Sequence, residues 1–251
     1  MSSSGVTVRG VVNPSLTARR RSVPLHRSTV VLKAAMAVSG LIMVAYLLAH
    51  MYGNLKIFSG SAAFNSYADH LRTVGEPFLP YGGALWIIRV VLLVSVVVHA
   101  YAAVTLWRRA RRATGGRGRK RYESIQAPRG AQRTYASFTL RWGGVTIALF
   151  IVYHLLHLTW NTIHPGGASA SPYDRVVNGF EIWWVVLSYT IAMAAVGFHL
   201  RHGIWSAFAN LGANTSVRRR RQLNGLAIVV ALVIVVGFLL PPFSILLGWV
   251  N

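Results

Sequence analysis

The chain has 251 residues, 54% of them hydrophobic and 12% charged, with 26 Lys+Arg against 5 Asp+Glu for a formal net charge of +21. It has no cysteine. That excludes disulfides, cysteine-held iron–sulfur clusters, thiolate-ligated haem, c-type haem attachment and thiol nucleophiles, and leaves any metal to His, carboxylates or Met.

A bilayer core takes roughly 20 apolar residues at ~1.5 Å rise each. Five stretches qualify, at about 31–52, 84–107, 141–160, 182–208 and 224–248. They predict an all-α, polytopic helical bundle of five transmembrane helices, with the first four as its core. Residues 1–27, rich in Ser, Arg and Val, read as an irregular cytoplasmic tail, and residues 28–251 as the membrane domain. The first run begins too deep, and without a small-residue cleavage site, to be a secretory signal.

Ser28-Thr29 is expected to cap the first span, and Gly53-Asn54 to stop it. The connection 55–83 follows, with a short interfacial helix expected over Asn65 to Arg72. The second span carries Arg89 near one end and His99 near the other. The Arg- and Gly-rich loop 108–133 reads as flexible. The third span opens at Arg141-Trp142-Gly143-Gly144 and carries His154 and His157. Residues 161–180 read as a loop. The fourth span opens at Glu181-Ile182-Trp183-Trp184, an aromatic interface anchor, and carries His199, Arg201 and His202. The fifth has no ionisable residue and is expected to break at Pro241-Pro242.

The basic residues settle the expected topology. They crowd the N-terminal tail, the second connection and Arg218 to Arg221, whereas the first and third connections hold only Lys56, Arg72 and Arg175. The positive-inside bias puts the N-terminus and the even connections in the cytoplasm and the C-terminus outside. The charge therefore reads as topology with anionic-lipid contact and a docking face for a cytoplasmic partner, and not as a nucleic-acid surface.

Ionisable groups inside a bilayer are costly and mark binding sites. Four successive spans each carry a histidine in their second half, and depth pairs them. His50 lies roughly 27 Å along its helix from Leu32, and His154 roughly 18 Å past Trp142, on spans that both rise outward. His99 and His199 lie roughly 21–24 Å down descending spans. The pairs are His50 with His154 in the outer half and His99 with His199 in the inner half. Two imidazoles on opposite faces are what a low-spin haem b takes as axial ligands, so the pattern predicts two haems b stacked across the membrane. His157 and His202 each lie three residues from a candidate and share a similar face, so spacing alone does not choose between them. No core carboxylate supports zinc or di-iron.

Arg89 and Arg201 are candidates for the haem propionates, since guanidinium pairs well with carboxylate. Asp69, Glu76, Asp174 and Glu181 all fall on the outer side. Asp69, His70 and Glu76 are candidates for a proton route to a quinone, and His26, His202, Trp205 and Ser206 for an inner quinone site. Gly40, Gly143, Gly144 and Gly197 offer either room for a porphyrin or ordinary small-residue helix packing.

The chain resembles the cytochrome b membrane-anchor subunit of succinate:quinone oxidoreductases, in its single-anchor, five-helix, two-haem form and most like the actinobacterial type. The resemblance covers about residues 28–250. It is carried by Ser28-Thr29-Val30-Val31-Leu32-Lys33 and the following residues to Gly40, by His50-x-x-x-Asn54-Leu55, and by Phe64-Asn65-Ser66-Tyr67-Ala68. His99-Ala100-Tyr101, Tyr153-His154-Leu155-Leu156-His157 and Phe198-His199-x-x-His202-Gly203 complete it.

The resemblance implies His50, His99, His154 and His199 as the haem ligands, in preference to His157 and His202. It also implies a flavoprotein oxidising succinate and an iron–sulfur protein on the cytoplasmic face of the plasma membrane. Electrons would then pass through the inner and outer haems to menaquinone. Some family members carry a glutamate two residues before the last ligand, for transmembrane proton movement. Here that residue is Gly197. The alternatives are the cytochrome b subunit of another membrane dehydrogenase and a haem-free anchor.

Overall fold

The computed structural model describes residues 28–114 and 131–251; the predicted tail 1–27, His26 and most of the Arg-rich loop lie outside them. Among the described residues there are seven α-helices and no strand. They are α1 (Thr29–Leu55), α2 (Ser61–Thr73), α3 (Gly83–Thr114), α4 (Ala131–His154), α5 (Pro172–Phe180), α6 (Trp183–Asn210) and α7 (Val217–Leu246). Five of them, α1, α3, α4, α6 and α7, are long and apolar enough to cross a membrane. The chain is an all-α, multi-pass membrane protein.

α3, α1, α6 and α4 pack in that order and outline a square whose α3–α4 side is loose, with one helix behind it. α1 packs on α3 and α6, α4 packs on α6, and α7 lies against α6 and α1. The diagonals of the square are therefore α1 with α4 and α3 with α6, the two pairs of helices that carry the depth-matched histidines. Close approach of α7 depends on small residues, as expected where lipid removes the hydrophobic drive between helices. A side chain at Gly197 of α6 would meet Val235 at 2.8 Å, and one at Gly237 of α7 would overlap Met51 of α1.

Several expectations about helix ends change. α1 runs through Gly53 and Asn54, whose side chain donates to the His50 carbonyl at 2.9 Å inside the helix. The chain turns instead after a 3₁₀ segment Lys56–Ser59, at Gly60, whose φ of 87° suits a residue without a side chain. Ser28 sits at the N-cap without a side-chain cap bond. α7 continues through Pro241 and Pro242 to Leu246. Those prolines remove donors only near its last turns, and both are packed inside the protein, where such a loss is tolerated.

The largest correction concerns residues 161–180. They are not all loop: Pro172–Phe180 is a helix, with Ser171 as N-cap accepting from Asp174 N at 3.3 Å and proline at the first position. Its Tyr173, Val176, Val177 and Phe180 are buried in a cluster with Ile57, Val185, Val186, Tyr189 and Ile245. α5 thus closes the end of the bundle that carries His50 and His154, the end expected to face outward. α2 joins it through Asn65, whose Nδ2 donates to Ser171 Oγ at 3.2 Å and whose Oδ1 accepts from Tyr173 N at 3.1 Å.

Candidate functional site

Two histidine pairs meet across the two diagonals. The rings of His50 and His154 have centres 5.9 Å apart at an interplanar angle of 80°. Those of His99 and His199 are 6.1 Å apart at 57°. Ten residues separate Gly144, beside His199, from His154 on α4, and ten separate Tyr189, beside His154, from His199 on α6. At ~1.5 Å per residue the two pairs stand roughly 15 Å apart along the bundle.

The inner pair is sparsely furnished. His99 Nδ1 lies 3.0 Å from the Met36 carbonyl oxygen of α1. A carbonyl only accepts, so Nδ1 carries the proton and Nε2 presents its lone pair. His199 Nδ1 is buried without a hydrogen-bond partner. Two glycines give these rings room: a Cβ on Gly40 would lie 3.3 Å from His99 Cε1, and one on Gly144 would lie 3.7 Å from His199 Cε1. Gly143 faces the Ala195 carbonyl and Gly197 faces Val235, so those two serve helix packing.

The outer pair is boxed by aromatic rings. Tyr46 stacks on His50 at 5.3 Å and 10°, Phe238 of α7 lies 5.6 Å from it, and Phe150 lies 5.8 Å from His154. His154 and His157 part company because α4 loosens into a π turn at Leu155–Thr159, with Trp160 N bonded to Leu155 O at 2.8 Å. His154 faces His50. His157 is wholly buried beneath α5, stacked on Tyr153 and 4.7 Å from the His164 ring. His202, three residues past His199 on α6, has no ring contact of its own with the His99–His199 pair among the described residues. With Arg201, Trp205 and Asn224 it lines a hollow of about 220 Å³ between α6 and α7.

Arg201 is two residues past His199, about 200° round the helix, and faces that hollow. Arg89 is exposed, its guanidinium 5.0 Å from the Trp86 ring. Ser206 accepts from Asn210 Nδ2 at 3.4 Å. Asp69 pairs with Arg72 at 3.0 Å on exposed α2, and His70 and Glu76 are exposed nearby. These three stand apart from the histidine pairs. Among the described residues no three His, Asp or Glu side chains are grouped to hold a bare metal ion.

Sequence reasoning missed four groups around the pairs. Tyr189 is buried between His154 and His157, with its hydroxyl 3.3 and 2.9 Å from their Nδ1 atoms. His164 flanks His157. Trp107 on α3 has a buried indole N–H without a partner, and its ring lies 5.2 Å from the Arg111 guanidinium and 5.8 Å from that of Arg141 on α4. In the sequence Trp107 and Arg141 stand only as the end of one span and the start of the next, and nothing joins them.

No curated protein and no solved structure matches the chain. The model of the succinate dehydrogenase/fumarate reductase transmembrane subunit family matches residues 117–239, just under half of the chain and including His154 and His199, and over that stretch the chain is similar to this family.

Proposed function

We propose that the chain is a member of that family and serves as the cytochrome b membrane anchor of a succinate:menaquinone oxidoreductase. It binds two haems b, His50 and His154 ligating the outer one and His99 and His199 the inner one. The carrying observation is the paired ring geometry. In each pair two imidazoles from diagonally placed helices face one another with ring centres 5.9 and 6.1 Å apart, so each pair would hold one haem between its two rings.

The residues present fit the group. Glycines lie against both inner rings, each diagonal is bridged by its imidazoles, and His199 Nδ1 is buried without a protein partner. Haem supplies one-electron redox chemistry at two depths. The Met36 carbonyl fixes the tautomer of His99 and orients its ring. The unpartnered Trp107 N–H beside Arg141 would receive carboxylates of the inner group.

The basic inner edge faces the cytoplasm and offers a docking surface to an iron–sulfur subunit and its flavoprotein partner. The hollow at Arg201, His202 and Trp205 offers donors for the two carbonyl oxygens of a quinone.

The test is a reduced-minus-oxidised spectrum with a pyridine haemochrome assay on the purified complex. Two haems b per chain are expected. No haem would leave a plain anchor, and one would reduce one of the pairs to a structural role.

A further inference from the structure

The outer pair is followed by polar groups that haem ligation alone does not require. Tyr189 Oη sits between His154 Nδ1, at 3.3 Å, and His157 Nδ1, at 2.9 Å. His164 Nε2 lies 2.8 Å from the Arg175 carbonyl oxygen. Arg175 in turn is fixed by its own bonds to the carbonyls of Leu158, Ser169 and Ala170. Two ring nitrogens in this cluster are buried without partners, His157 Nε2 and His164 Nδ1, and their rings are 4.7 Å apart.

The proton positions follow from the two ends. This step rests on the ligand reading above: a neutral His154 bound to iron through Nε2 keeps its proton on Nδ1. That N–H donates to Tyr189 Oη. A hydroxyl has one proton, so Tyr189 donates it to His157 Nδ1. His157 then carries its own proton on Nε2. At the far end the Arg175 carbonyl can only accept, so His164 is protonated on Nε2 and its Nδ1 is a bare acceptor. The two orphaned nitrogens are thus one donor and one acceptor on adjacent rings.

We infer that Tyr189 and His157, with the His164 ring packed against His157, form a one-directional hydrogen-bond chain that draws on the Nδ1–H of His154 and sets the potential of the outer haem. Tyr189 and His157 are positioning residues here, acting on the iron only through His154. A hydrogen bond accepted from a ligating imidazole raises its basicity and favours the oxidised metal. The inner pair has no such array: His99 donates to a single backbone carbonyl and His199 Nδ1 has no partner.

The experiment is a potentiometric titration of the purified complex, monitored by the spectra of both haems. Tyr189→Phe keeps the ring and removes the hydroxyl; the outer haem is expected to become easier to reduce while the inner one stays at its wild-type potential. His157→Leu removes the acceptor for the tyrosine proton and moves the outer haem the same way. His157→Gln, whose side-chain carbonyl accepts that proton, restores most of the wild-type value. An unmoved outer potential, or equal shifts of both haems, in a Tyr189→Phe complex that retains two haems overturns the chain alone. A wild-type complex without haem overturns the ligand reading, and the chain with it.

Discussion

The two halves of the bundle are built differently around the same kind of histidine pair. The outer half is closed. α2, α5 and the end of α7 cap it, Phe180 and Tyr189 pack at 4.8 Å, and Asn65, Arg175 and Tyr173 tie the connections to one another. The other half is basic, with the hollow lined by Arg201 and His202, glycines beside the rings and a cation–π stack of two arginines on Trp107. A closed, hydrogen-bonded end suits tuning of a buried group. A cationic end suits exchange of electrons and ligands with what docks there.

Removing one histidine from each half separates the two sites most clearly. His50→Ala and His199→Ala are each expected to lose one of two haems, and different ones. The outer-haem signal disappears in the first and the inner-haem signal in the second, read from the reduced spectra of the purified complexes. Loss of both haems from either variant would mean that the pairs are not independent sites.

A smaller effect sharpens the same division. Gly40→Leu puts a branched side chain where even a Cβ would be 3.3 Å from His99 Cε1. His99 would be pushed off its Met36 bond and out of line with His199. Inner-haem content should fall in most molecules while the outer haem keeps its wild-type spectrum. An unchanged inner haem would mean that His99 does not hold iron in this rotamer.

Much of this was legible in the sequence, and the misses have common causes. The five spans and the pairing of His50 with His154 and His99 with His199 follow from helix rise and alternating direction, which are rigid quantities. The side chains around them depend on azimuth, which depth arithmetic leaves free. Arg201 shows this: it shares the depth of His199 and faces the opposite way. His157 needed a π turn that no propensity announces. α5 was readable and overlooked. Ser171-Pro172-x-Asp174 is an N-terminal signature, and Tyr173, Val176, Val177 and Phe180 recur at helical spacing. Its short length and its Gly- and Ser-rich approach hid it.

Two substitutions on α2 separate the cap from its solvated edge. Asn65→Ala removes both bonds to the start of α5, about 1–2 kcal/mol for two partly buried hydrogen bonds. In a thermal ramp the outer haem should be released at a lower temperature than in the wild type, ahead of the inner haem. Asp69→Asn, four residues on, breaks only an ion pair to Arg72 whose side chains are 69% and 45% exposed. Screening by solvent holds such a pair to at most a few tenths of a kcal/mol, so haem release should be indistinguishable from wild type. Quinone reduction tests the proton-route reading of Asp69: a fall in rate at unchanged haem stability supports it, and an unchanged rate leaves Asp69 a solvated loop charge.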